Sequence, residues 1–569
     1  MKRILRYFKP YRLRVVLCLI IKITGIIMEL LIPILLAHII DDVVPNSSIK
    51  VIVLYGLLMV VASFLGFMGN CKANQLAAGI ARNISVNLRH DLFTKIMSLS
   101  SSQIDEVSIP SLVTRMSSDT YNVHQMLATI LRLGVRAPVL LIGGTIATLI
   151  LDYVVALVII TILPIVFLIL YLISKVGLPL FSKVQKSIDS MVLSIRESMT
   201  GIRVIKALSK EDYEKKRFDK INKDVINYEL KSSNTMATIN PLVNLILNVG
   251  LIFVIVVAAI RVSDGAILPG KVLSFTSFFS MILTAVIALN RMITIIAKAQ
   301  ASSIRIDYIF NINKDLEKTT YPVKNGAYIE FEHVNFSYNN SKNIIEDISF
   351  KINKGETLGI IGSTGSGKST IINLLLRLYD VTSGNIYVDG IDVRNYEEKD
   401  LKSKFGTALQ YDTLFSGSIY DNIDFYRNLN KKEIEKAISV SQADFVNNLE
   451  KGLKSDVSPR GTNFSGGQKQ RLIIARALAG NPEILILDDS SSALDYKTDA
   501  KLRKAINEEY KDATTIIISA RISSIMNANR IIVLDEGKII GYGTHDELLN
   551  KNKMYQEIYQ SQLGGGIYE

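Results

Sequence analysis

Long apolar runs with few charges fill roughly the first three hundred residues, while the remainder alternates apolar and polar positions as a soluble α/β domain does. Six of the runs, at about 15–40, 51–69, 130–151, 153–176, 242–262 and 272–296, are near the ~20 residues a bilayer core requires. They predict six membrane-spanning helices within a domain over 15–310. Ahead of them, residues 1–14 set Ile4, Leu5 and Phe8 against Lys2, Arg3, Arg6 and Lys9, the pattern of a short amphipathic helix lying at the membrane surface. This segment is too basic, and too closely followed by a long span, to read as a cleavable signal. Residues 71–129 and 177–241 keep a helical period with little Gly or Pro, so the spans are expected to continue as helices beyond the bilayer and to transmit movement to the soluble part. A composition shift at 311–325 marks a linker, and 326–569 form the soluble domain.

Charge changes this picture in one respect. The formal net charge of +12 comes largely from Lys and Arg beside the apolar runs, with Arg203, Lys206, Lys210, Lys215, Lys216 and Arg217 clustered in the connection between spans four and five. That placement is the positive-inside signature of a membrane protein, not a nucleic-acid footprint. It predicts an integral protein of a bacterial-type cell membrane with both termini cytoplasmic, and no nucleic-acid partner. Cys18 and Cys71 stand at no metal or redox spacing and read as ordinary buried thiols.

The soluble part carries the chemistry. After the strand-like ETLGIIG, residues Gly362 to Thr370 read GSTGSGKST. Gly362, Gly365 and Gly367 let backbone N–H groups converge on phosphate, and the helix that follows points its N-terminus at the same anion. Ser363, Thr364, Ser366 and Thr370 complete the loop; Lys368 is placed to reach the β/γ-phosphates and Ser369 to ligate Mg2+. ATP and Mg2+ are therefore the expected ligands. Residues 483–495 read EILILDDSSSALD, and Asp488, closing its apolar strand, is the carboxylate that would hold the metal directly or through water. In YIEFEHVNFSY, Tyr338 ends a strand-like run: it is a candidate to stack on adenine, and tyrosine is also an ordinary strand residue. Ser465 opens a helix with Gly466, Gly467 and Gln468 behind it, an anion site of the helix-terminus type whose hydroxyl and free N–H groups are expected to face outward.

Three further motifs bring a family into view: FSGGQKQR at Phe464 to Arg471, FGTALQ ending on Gln410, and SALD at Ser492 to Asp495. In this order, with the phosphate loop and the Asp488 strand, they resemble the nucleotide-binding domain of an ATP-binding cassette (ABC) transporter. The six-span half, with GIRVIKALSKED at 201–212 and ASSIRI at 301–306, resembles the exporter branch that has long intracellular helices. The resemblance covers essentially the whole chain. It implies a multidomain protein, a six-helix all-α transmembrane domain with long cytoplasmic extensions followed by an α/β P-loop nucleotide-binding domain. It further implies that Gln410 senses the γ-phosphate and Mg2+, that DVSPRG at 456–461 contacts the membrane domain, and that Ser465, Gly466, Gly467 and Gln468 close over the ATP of a second subunit.

The departures from the family matter as much. The resemblance puts a catalytic glutamate at 489 and a switch histidine at 520; the chain has Asp489 and Ala520. Aspartate withdraws the carboxylate by about 1 Å, and a misplacement of that size can cost about 10²-fold. Alanine offers no side-chain donor or acceptor to position water or polarise phosphate. Both changes beside an intact phosphate loop suggest a degenerate site kept for binding, in a heterodimer whose other half-transporter carries Glu and His, as in the heterodimeric multidrug exporters of bacteria. An importer on the exporter fold, and an ATP-gated channel or sensor accessory, are the alternatives. For substrate, Lys22 and Glu29 share one face of the first span and line a cavity, pair with neighbouring helices, or, for Lys22, snorkel to the interface. Arg132 and Arg136 begin the third span, and Asn290 and Arg291 lie in the sixth. Small amphipathic compounds, lipids and peptides all remain open.

Overall fold

A computed structural model describes residues 2–563 apart from 314, 317, 339–341, 411 and 491; the side chains at 2, at 290 and at positions within 167–182 and 236–247 also lie outside the description, Asn290 with them. The chain divides into two compact units, Met1–Ser98 with Ile109–Ile312, and Leu99–Ser108 with Asn313–Glu569.

The first unit is all-helical. Among the described residues five helices are long and apolar enough to cross a membrane: Arg3–Asn46, Ile49–Met97, Ile109–Leu151, Asn244–Ser263 and Pro269–Asn311. The run at 153–176 falls on the helix Tyr153–Thr200, whose described apolar stretch is Tyr153–Val166. Apolar side chains face outward on these helices, Phe64 at 61 % and Phe67 at 66 % exposure, as expected where the surrounding solvent is lipid. Two helices cross closely at glycines: a Cβ on Gly69 would come within 3.2 Å of the Gly25 Cα, so only small residues permit that approach. Polar side chains inside the bundle find partners on other helices. Glu29 accepts from Asn70 at 2.8 Å and pairs with Arg136 at 3.1 Å, and Asp152 binds Arg261 at 2.8 Å while accepting the Val154 and Val155 N–H groups that open the next helix. That cap explains how a one-residue connection turns the chain between two helices.

The second unit is α/β. Its six-stranded sheet runs Lys538–Gly543, Arg530–Asp535, Thr357–Gly362, Thr514–Ile518, Ile484–Asp488, Phe405–Ala408, parallel except for the antiparallel edge strand Lys538–Gly543. The central strands are continuous apolar runs because both of their faces are covered; Ile484–Asp488 is buried along its whole length. A four-stranded antiparallel sheet, led by Ile345–Ile352 and Ile329–Phe336, packs into the same core. Leu99–Ser108 belongs to this unit. Its helix Ser101–Val107 starts at a Ser100–Gln103 capping box, and it is held by Gln103 donating to the Asn313 carbonyl at 2.6 Å and by Tyr379 donating to Asp105 at 2.5 Å. No local pattern in 71–129 singles these residues out, because their partners Asn313 and Tyr379 lie more than two hundred positions away.

Candidate functional site

Parallel pairing decides where the site lies. Asp488 is paired with Ile518, and Ile518 with Ile360, so the residues just beyond three strands emerge at one edge of the sheet. Those residues are the phosphate loop, Asp489 and Ala520; Gln410, exposed two positions after Phe405–Ala408, leaves the same edge. Open α/β sheets bind ligands at this carboxyl edge.

The phosphate loop turns on two glycines in the left-handed region, Gly365 at φ +86° and Gly367 at φ +97°. A side chain on Gly362 would lie 2.0 Å from the Leu534 carbonyl oxygen, so the loop is pressed against the neighbouring strand and only glycine fits. Ser363, Thr364 and Gly365 form the exposed crest, and Lys368 begins the helix Lys368–Leu375. The Lys368 ammonium donates to the Gly362 and Ser363 carbonyls at 3.0 and 2.7 Å, directly beneath the crest, while burial lowers its basicity against the pull of Asp488 and Asp489. Ser366 is 2 % exposed, and its hydroxyl is without a partner among the described residues. An oxygen-rich anion in the loop would supply one, and the donors converging there fit a nucleotide phosphate.

Ser369 hydrogen-bonds the Asp488 carboxylate. A hydroxyl and a single carboxylate on the rim of a phosphate site are the oxygen donors Mg2+ prefers when phosphates complete its shell, so these residues fit the metal. Burial pushes the Asp488 carboxyl above the ordinary range, opposed by the Ser369 hydrogen bond and joined by the neighbouring Asp489 charge. Asp489 is likewise raised by burial, with Arg521 and Lys368 opposing. Its backbone sits at φ 47°, a conformation that aspartate tolerates better than most residues, and its N–H donates to the Ile518 carbonyl at 2.9 Å.

Two residues of this site were not singled out by the sequence pattern. Arg521, next to Ala520, donates to the Ser492 and Leu494 carbonyls at 3.1 and 3.3 Å and so clamps the SALD segment beside Asp489. Gln562, on the helix Lys553–Leu563, donates to the Ala520 carbonyl at 2.7 Å and accepts the Ile522 N–H at 2.9 Å, which fixes the backbone on the carboxyl side of the alanine. Arg521 is adjacent to a flagged position and was available to local reading; Gln562 carries no local signal.

Ser465 caps the helix Gly466–Leu478 through a capping box: its hydroxyl accepts the Gln468 N–H at 3.3 Å, and Gln468 accepts the Ser465 N–H at 3.0 Å. The exposed Ser465 hydroxyl is thus an engaged acceptor that keeps its own proton for donation. Gly467 packs so closely that a Cβ would lie 3.1 Å from the Ala493 carbonyl, and Gln470 binds both Ser492 and Ala493, tying this helix to the SALD segment. Tyr338 meets Phe336 and Tyr379 edge-on, with centroids 4.7 and 5.1 Å apart, and its hydroxyl lies 3.4 Å from that of Thr370. It therefore packs within an aromatic cluster while standing beside the phosphate-loop helix. In the membrane unit, Lys22, Arg132 and Arg136 line one cavity, and Glu29 is held by Arg136 and Asn70.

Fold and site together define a P-loop ATP-binding domain joined to a helical membrane domain. The family model of the ABC transporter transmembrane region matches residues 15–286, and that of the ABC transporter matches 345–492. An uncharacterized ABC transporter ATP-binding protein of Bacillus subtilis, YfiB, is 34% identical over 99% of each chain, and the putative multidrug export ATP-binding/permease protein YgaD of the same organism is 29% identical, also over 99% of each chain. The solved structure of a bacterial Atm1-family ABC exporter with ATP bound has the same fold, with a TM-score of 0.82 at 22% identity over 97% of this chain and 98% of that one. The chain belongs to the ABC transporter family, as a half-transporter with one transmembrane region and one ATP-binding domain.

Proposed function

We propose that this chain is one subunit of a heterodimeric ATP-driven exporter of amphipathic compounds, with six spans, both termini cytoplasmic, and its own ATP site slow or inactive in hydrolysis. One observation carries the reading: Asp489 and Ala520 stand where glutamate and histidine are expected, beside an intact phosphate loop and an intact Ser465–Gln468 segment. In this reading the glycine loop, Lys368 and Ser366 hold the triphosphate, Ser369 and Asp488 hold Mg2+, and Gln410 senses the γ-phosphate and Mg2+. Mg2+, when bound, offsets phosphate charge. Ser465 to Gln468 then complete the site of a partner that carries Glu and His. ATP binding at both sites favours one conformation of the pair, and hydrolysis at the competent site resets it.

The test is ATPase activity of the purified chain alone and together with a candidate half-transporter that carries Glu and His at the two positions. Turnover is expected only from the pair. Robust hydrolysis by the lone chain would overturn the division of labour.

A further inference from the structure

The cavity in the membrane unit has an unusual charge balance. It has a volume of about 370 Å³, within the ordinary range of ligand sites, and its walls include Lys22, Arg132 and Arg136, with Asn74, His124 and Gln125, and no carboxylate among the described residues. Lys22 is 1 % exposed, and the hydrogen bond it makes is to a neutral acceptor, the Asn74 side-chain oxygen at 3.0 Å. Glu29, outside the lining, is already committed to Arg136 and Asn70. Among the described residues neither Lys22 nor Arg132 has an ion pair. Two cations without an ion pair of their own carry a cost in a cavity of the membrane unit, and helix packing alone does not call for them. An anion entering the cavity relieves that cost.

Farther along the same helix pair lies a separate apolar groove of about 220 Å³, lined by Ile27, Leu30, Ile34, Gly143, Ile146 and Ala147. On the helix Thr120–Leu151, Gly143 follows Arg132 and Ala147 follows Arg136 by eleven positions, close to three turns, so charged cavity and groove share a face about 16 Å apart along the axis. We propose that this cavity binds the anionic group of an amphipathic substrate, a carboxylate or a phosphate, with its apolar remainder along the groove. The proposal rests on reading the chain as a transporter subunit, and it narrows the substrate class to anions.

The test uses the full chain in phosphatidylcholine nanodiscs without ATP, with empty discs as reference. Equilibrium binding is measured for radiolabelled N-dodecanoylglycine, an anion, and dodecyltrimethylammonium, a cation of similar length. The anion is expected to bind at least tenfold more tightly. Lys22→Met and Arg132→Gln are each expected to weaken it about tenfold, the scale of one charge-assisted hydrogen bond, while Arg132→Lys retains most of it. Because Arg132 is exposed, its variants test the idea even if Lys22→Met fails to fold. Discs containing phosphatidylglycerol separate the sources: competition with the probe assigns the anion to a lipid headgroup, and no competition assigns it to a free amphiphile. Equal binding of the two probes, or anion binding unchanged in both Arg132→Gln and Arg132→Glu, overturns the proposal. Export is read separately, as ATP-driven uptake into inside-out vesicles; a probe that binds but is not moved counts against export and leaves the cavity standing.

Discussion

At Asp489 a short carboxylate sits on a left-handed backbone, raised by burial and faced by Arg521 and Lys368. Nearby, Ala520 leaves the switch position with backbone groups only, pinned by Gln562. The pair Asp489→Glu with Ala520→His is expected to raise hydrolysis at this site by about 10²-fold, the scale associated with a 1 Å misplacement, measured with the partner's own site disabled. Asp489→Asn in the otherwise native chain should change turnover of the dimer little. Lys368→Ala removes the ammonium beneath the loop crest and is expected to weaken nucleotide binding here about tenfold or more, followed with a fluorescent ATP analogue.

At the scale of elements, the helix Gly466–Leu478 is where stability and function can be separated. Ser465→Ala deletes the cap and should cost about 1 kcal/mol, whereas Ser465→Gly should cost only a few tenths. Both remove the hydroxyl that the proposed reading offers to a partner's ATP. Loss of dimer hydrolysis in Ser465→Gly with a nearly unchanged melting temperature would assign the effect to the hydroxyl rather than to folding. A second link joins the two sheets: Tyr328, just before Ile329–Phe336, donates to Glu483, just before Ile484–Asp488, at 2.7 Å. That hydrogen bond, followed by Lys404, holds the Glu483 carboxyl below its ordinary value of 4.5. A carboxyl depressed in the folded state stabilises fully above its unfolded value and loses that contribution as pH falls through the folded one. Stability of the native chain should therefore fall more steeply below about pH 4.5 than that of Glu483→Gln, as followed by thermal unfolding across that range.

At the scale of the whole chain, apolar spans and charge placement predict topology, and a topology experiment checks it. Cysteines introduced at either terminus, in a chain with Cys18 and Cys71 replaced by serine or alanine, should react with an impermeant reagent only from the cytoplasmic face. The division into two units holds one surprise, since Leu99–Ser108 packs with the ATP-binding unit although sequence places it between membrane helices. The anchors are Tyr379 on Asp105 and the Asn313 carbonyl on Gln103, contacts between residues too far apart in the chain for any periodicity to reveal.

What the sequence determines by itself is whatever depends on neighbours along the chain. Spans are legible because a bilayer demands an unbroken apolar length; the phosphate loop is legible because glycine spacing, lysine and helix start all lie within nine residues, Gly362 to Thr370. The missing methylene at 489 and the missing imidazole at 520 are likewise visible as residue identities. Tertiary structure decides the rest. Parallel register brings Asp489, Ala520 and the loop to one sheet edge, a helix near the chain's end places Gln562 against Ala520, and helix packing gathers Lys22, Arg132 and Arg136 around one cavity while Glu29 is drawn off by Asn70 and Arg136. Electrostatic balance is a sum over positions in space, and adjacency in sequence does not contain it.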